Sequence, residues 1–340
     1  MIRSTLLAAT ALACGTLAAQ AQDRTLTISV YGFAQDEFSE ILYKPFEEKC
    51  GCELVVETGN SVERLAKMEA NKEAPVIDMA VLSTHDALAA NRAGLIDTID
   101  TAKLANFDKL YDIAKDPLGD GTAVGYTFYA TSIVYRSDKV TVDSWADLFS
   151  DELKGQVAFP NVTTNQGPPA LWMVGKAMGE SDPTLAGAIS EVGEKRDDVV
   201  TFYVRSSQLV QLMQQEEIWA APIGRFAWKG FADMDLPIAW ATPKEGQTGG
   251  MNVMVVTKGS QNRDLALEFM DYWLSTPIQT ALAEGLVDSP ANAEVEVSDD
   301  VADNLTYGAE TVASLDLIPA DVWLDNREGW LSEWNAKVGQ

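Results

Sequence analysis

Histidine is almost missing from this chain of 340 residues: the single one is His85, in the stretch Val81-Leu82-Ser83-Thr84-His85-Asp86. A hydrolytic zinc site commonly draws on two or three histidines, so one is too few. Serine catalysis is equally poorly served, because no Gly-x-Ser-x-Gly elbow occurs and His85 would have to be the base. The glycine-bearing run GDGTAVG, residues 119–125, lacks the Lys-Ser/Thr pair of a phosphate-binding loop. The acids of DPLGDG, residues 116–121, have the wrong spacing for a calcium loop. Basic residues are also scarce: 25 Lys and Arg stand against 51 Asp and Glu, a formal net charge of −26. Nucleic acid is therefore excluded as a partner, since phosphate neutralisation needs clustered lysine and arginine. No run beyond the N-terminal segment is apolar enough to cross a bilayer. These absences shift the weight from enzyme to binder, with no catalytic residue, metal or cofactor expected.

What is present begins with a leader. Residues 1–21 open with Met-Ile-Arg, continue with an Ala/Leu-rich apolar run and end on Ala19-Gln20-Ala21, the pattern of a secretory signal peptide cleaved after Ala21. Ala11-Leu12-Ala13-Cys14 loosely resembles a lipobox, but the downstream cleavage site is cleaner. The expected location is the periplasm. Of three cysteines, Cys14 falls in the leader, and Cys50 and Cys52 flank one glycine. An oxidising compartment permits a bridge and so small a ring opposes it, leaving disulfide and free thiols both open. A redox pair would have two residues between its cysteines.

Strand-like and helix-like segments alternate after the leader. TLTISVYGF, CELVVETG and VIDMAVLS read as strands; the stretches after them, DEFSEILYKPFEEKCG, NSVERLAKMEANKE and THDALAANRAG, show helical spacing. Ser61 is a candidate cap for the second of these helices. From Gly125, GYTFYATSIVYRSD is a long apolar strand with no helix before the next strand, QVAFPN. A second strand–helix run follows, and GQTGG, residues 246–250, precedes another apolar strand, MNVMVVTKG. Two amphipathic helices and an aromatic helical tail complete the chain. Alternation predicts an α/β fold with mostly parallel sheet covered by helices; the two helix-free strand steps suit crossings between lobes.

Several phrases in order are similar to the extracellular solute-binding proteins of ABC importers, in the branch that contains the spermidine and putrescine binders. They include LYKPFEEKCGCEL, IDMAVLSTHDALAANRAGLIDTID, SWADLFSDELKGQVAFPN, LVQLMQQEEIWAAPIGR and TPKEGQTGGMNVMVVTKGSQNRDLALEFMDYWLS. The resemblance runs from about residue 25 to the C-terminus. It implies a two-lobed type II periplasmic binding fold with crossing hinge strands and ligand in the cleft. Lobe I is expected over 22–128 plus 251–297, and lobe II over 129–250 plus 298–340. It also implies hinge closure on the ligand, delivery to the permease subunits of the transporter, membrane contact only through that permease, and a monomer.

The resemblance also marks a departure. The family's serine matches Ser83 and its aromatic two residues on matches His85. Its acid pair falls on Gln166 and Pro169, and its aspartate on the later strand falls on Asn252, with Gly250 where the family has tryptophan. Three ammonium-binding carboxylates are missing together. Arg225, in PIGRF, and the helix start NQGPP offer positive character instead, with Arg205 a second candidate. Asp288, in LVDSPAN, is placed to hold an amine. Tyr31, Phe33, Phe128 and Tyr129 are candidate walls, and His85 a flat, partly polar wall rather than a catalytic base. The expected ligand is a small zwitterionic or anionic amino compound: an amino acid, an ω-amino acid or an aminophosphonate. Polyamine binding is the alternative; ferric iron, for which no Tyr-Tyr pair exists, and an exported α/β enzyme stand further off.

Overall fold

The computed structural model describes residues 24–339; the leader and Cys14 lie outside them. Eleven strands are found among these residues: β1 (Thr25–Val30), β2 (Glu53–Thr58), β3 (Met79–Ser83), β4 (Ile96–Asp97), β5 (Val124–Arg136), β6 (Val157–Pro160), β7 (Val199–Tyr203), β8 (Ala220–Gly224), β9 (Ile238–Trp240), β10 (Thr248–Thr257) and β11 (Ser289–Pro290). The main order is β2-β1-β3-β10-β5-β8-β6-β7. The outer pairs β1·β2, β1·β3, β6·β7 and β6·β8 are parallel, as their helical crossovers require.

The two longest strands, β5 and β10, sit side by side and antiparallel at the centre of this order. They tie two α/β halves together. Leu26, Phe46, Met79, Val124, Phe128, Val255 and Phe269 belong to one core, together with Val312 from the tail. Beyond Phe128 the same β5 strand feeds Ile133 into a second core with Trp145, Phe159 and Trp330, and Val134 into a smaller one with Phe231 and Ile223. The chain is thus two-lobed α/β, and the helix-free strands foreseen in the sequence are the connecting ones. The tail serves both halves, because Val312 joins the first core while Trp330, Trp334 and Val338 join the second.

Local chemistry sets the strand ends that face the cleft. The helix Ser61–Ala70 is capped by Asn60 rather than Ser61: the Asn60 side chain accepts from Glu63 N–H at 2.9 Å, and the Glu63 carboxylate accepts from Asn60 N–H at 2.9 Å. This reciprocal pair satisfies two helix-end donors. Ser61 instead turns inward, its hydroxyl accepting from the Ser83 N–H at 3.0 Å. Gly249 and Gly250, ahead of MNVMVVTKG, are part of β10, which begins at Thr248. A Cβ on Gly249 would overlap the Tyr129 carbonyl oxygen, and one on Gly250 the Tyr129 phenol. Cys50 and Cys52 are joined as a disulfide, which resolves the sequence alternatives.

Candidate functional site

A cavity of about 330 Å³ lies where β1, β5, β10 and β11 meet the loops of the second half. Tyr31, Phe33, Phe128, Tyr129 and Phe226 are its aromatic walls; Gln166, Arg225, Asn252 and Asp288 are among its polar ones. Its size is that of a site for a small organic molecule.

Asp288 stands at the mouth of β11. Ser289 pairs with Phe128 and Pro290 with Thr127, while Leu286, two residues before Asp288, is forced to a φ of +54°. A leucine in this region is strained, and the turn it makes brings Asp288 against β5. Asp288 is only 6% exposed, and its Oδ2 has no hydrogen-bond partner. Burial pushes its carboxyl well above the usual range, with the Thr127 hydroxyl opposing weakly. A carboxyl in this state is poised to ionise when a cation arrives.

Arg225 follows β8 directly. Its guanidinium carbon lies 4.7 Å from the Trp228 ring centre and 4.6 Å from that of Trp240, and its Nη2 donates to the Asp303 carbonyl. Nε and Nη1 have no hydrogen-bond partner. Burial draws the group down to about 10, with Asp303 opposing, so it remains a cation at neutral pH. The two tryptophan faces hold the charge in place while leaving two donors for an anionic group.

Between these charges the neutral polar groups are already engaged. Asn252 Oδ1 accepts from the Tyr31 hydroxyl at 3.1 Å, next to an irregularity in β10 between Asn252 and Val253. Gln166 Oε1 accepts from the Gly224 N–H at 2.8 Å and from the Tyr203 hydroxyl at 3.1 Å. Gln166 therefore fixes the helix Gly167–Ala177 to β8, and the Gly167 N–H is itself taken by Thr164 Oγ1 at 3.0 Å. The open helix start expected at NQGPP is partly closed.

Of the expected residues, the cavity gathers Tyr31, Phe33, Phe128, Tyr129, Gln166, Arg225, Asn252 and Asp288. It does not gather Ser83, His85 or Arg205. Arg205 is exposed before the helix Ser207–Gln214 and reaches no wall of it. Ser83 is buried, its hydroxyl held by Asp86 Oδ2 at 2.9 Å, His85 Nε2 at 3.0 Å and Ser61 Oγ at 3.3 Å. His85 lies flat on Trp323 of the C-terminal helix Ala320–Lys337, rings 4.1 Å apart and 3° from parallel. His85 lines a second cavity beneath that helix rather than the first. Burial lowers His85 to about 4, Asp86 opposing and Arg327 assisting.

Sequence reasoning missed Arg64. It is 2% exposed, donates to the Val30, Gly59 and Val81 carbonyls, and lies 4.0 Å under the Tyr31 ring. It pins the ends of β1 and β3 and supports a cavity wall. An arginine inside a helical sequence reads as a solvated face, so no local signal marks it. Asn165, Phe226 and Lys229 were also missed as lining residues. Among the described residues, no group of three or more His, Cys, Asp or Glu side chains could hold a metal.

A two-lobed α/β chain with an aromatic-walled cavity beside the strands that join the halves fits the periplasmic binding class of solute receptor. The model of a family described as bacterial extracellular solute-binding protein matches residues 42–309, and the chain belongs to that family. It is 28% identical over 323 residues to the spermidine/putrescine-binding periplasmic protein of Escherichia coli (strain K12), covering 90% of each chain. It is 27% identical over 289 residues to a putrescine/cadaverine-binding protein of Pseudomonas aeruginosa, covering 77% of this chain and 79% of that one. Among solved structures, an ABC transporter protein from Clostridium perfringens superposes with a TM-score of 0.82 at 31% identity, over 92% of this chain and 99% of that one. The protein is a solute-binding component of an ABC transporter.

Proposed function

We propose that this protein is an exported, non-enzymatic receptor that captures a small zwitterionic amino compound and delivers it to its permease. An amino acid, an ω-amino acid or an aminophosphonate fits. The observation that carries this is the pairing of opposite charges around one cavity: a buried Asp288 carboxyl with an unpartnered oxygen, and Arg225 with two unpartnered donors. An ammonium at Asp288 and a carboxylate or phosphonate at Arg225 would each meet a charge-assisted partner. Asp288 is the only acid among the lining residues, whereas Arg225 and Lys229 are both basic. A plain diamine would leave one ammonium facing those cations.

Polyamine binding is the second reading, favoured by the names of the curated relatives. Titration calorimetry against diamines, amino acids, ω-amino acids and aminoalkylphosphonates separates the two. A zwitterion is expected to bind more tightly than putrescine. Tight putrescine binding with no response to zwitterions would sink the proposal. Mass spectrometry of solute carried through purification, recovered unchanged and in stoichiometric amount, tests the receptor reading against turnover.

A further inference from the structure

A second cavity, of about 220 Å³, opens beside the first and shares Asn165 with it. It is lined by Asp86, Arg327, Glu328, Trp323 and Trp330 among others, under the C-terminal helix. Asp86 is 1% exposed, and while its Oδ2 accepts from the Ser83 hydroxyl, its Oδ1 has no hydrogen-bond partner. The nearest basic group, Arg327 Nη1, stands off at 3.9 Å on an exposed side chain, beyond hydrogen-bond length. A buried carboxyl oxygen without a donor is costly. With His85 neutral near pH 7, the charged lining is Asp86 and Glu328 against Arg327, one negative charge in excess. Trp323, half-buried and covered on one face by His85, supplies a ring suited to an ammonium and its methylenes.

We infer that this cavity is a second ammonium subsite, in which Asp86 Oδ1 receives the distal amine of an extended diamino solute running past Asn165 from the Asp288 cavity. The inference rests on the reading that an amine of the solute reaches Asp288. It implies that the solute carries one amine more than a simple ω-amino acid, as in basic amino acids.

The test is titration calorimetry on the full mature chain with matched probes that differ by one ammonium: lysine against norleucine, and cadaverine against pentylamine. In the unaltered protein the diamino probe of at least one pair is expected to bind at least about tenfold more tightly than its match. Asp86→Asn should reduce that ratio to about one while leaving the monoamino probe unchanged. Arg327→Gln, which removes a competing cation, should raise the ratio; a merely structural role for the Arg327–Asp86 approach would not. A ratio of about one in the unaltered protein, or one that survives Asp86→Asn, overturns the subsite. If that ratio survives Asp86→Asn but binding collapses in Asp288→Asn, only the subsite fails. If no amine binds, or Asp288→Asn changes nothing, the reading of the first cavity fails with it.

Discussion

Two buried aspartates stand on either side of Asn165, each with one oxygen unpartnered. Asp288 has no basic side chain among the causes that set its charge, and burial drives it toward the neutral form. Asp86 sits in the first turn of a helix, accepts from Ser83 and has Arg327 and His85 at 3.9 Å. The contrast is one of surroundings: two buried carboxyls differ in the basic groups that stand near them. Asp288 therefore has no cationic neighbour until a solute arrives, whereas Asp86 keeps one oxygen on Ser83 and leaves the other without a donor.

The largest effect that would break this comparison is expected from Asp288→Asn. Removing one partner of a buried ion pair costs roughly 2–5 kcal/mol of binding, a loss of at least about thirtyfold in affinity for an amine. The pH dependence carries a definite sign. A carboxyl raised above its ordinary value of 3.8 contributes stability below that value and loses it as pH rises through the folded one. The empty protein should thus lose thermal midpoint with rising pH more steeply than Asp288→Asn. An amine that ionises Asp288 also displaces its proton, seen as a buffer-dependent heat of binding. Equal heats in buffers of different ionisation enthalpy would show that Asp288 is already charged. Next in size is Arg225→Gln: loss of a charge-assisted contact, roughly 1.5–3 kcal/mol, should weaken zwitterions by about ten- to a hundredfold and leave diamines unchanged or tighter. Equal losses for both would remove the anionic end from the model of the site.

Much of this cavity was legible because many of its residues lie on or beside strands whose pattern is local. β-branched and aromatic runs marked β1, β5 and β10, and with them Tyr31 just past β1 and Phe128 and Tyr129 on β5, whereas Asn252 was marked by the family resemblance. Asp288, in LVDSPAN, was marked by the family resemblance, but its strained turn at Leu286 was not legible. Arg225 could be picked out, and Trp228 stands only three residues on, yet Trp240 comes from β9 and meets it only in the folded lobe. The same reason hid the surroundings of His85. Trp323 lies 238 positions further on, and nothing near VLSTHD signals that a terminal helix will cover it. Asp86 read as an ordinary first-turn acid, because an unpartnered oxygen is a property of packing rather than of sequence.

The smallest effect sharpens the other side of the comparison. His85→Gln removes the ring stacked on Trp323, a contact of about 0.5–1.5 kcal/mol, and should lower the thermal midpoint by a few degrees at neutral pH with little change in the affinity of a short zwitterion. Its clearer signature is in acid. The folded value of about 4 lies below the ordinary 6.5, so the unfolded chain takes up the proton first. Stability from the neutral ring is complete above about 6.5 and is lost as pH falls toward 4. Between those limits the midpoint of the unaltered protein should drop more steeply than that of His85→Gln. The Asp288 effect runs the opposite way, declining as pH rises, so where the two windows overlap they offset each other in the unaltered protein and each single variant exposes the slope of the other group. A His85→Gln profile parallel to that of the unaltered protein would mean that the ring is solvated and the helix Ala320–Lys337 does not cover it. A large loss of short-ligand affinity in the same variant would return His85 to the walls of the first cavity.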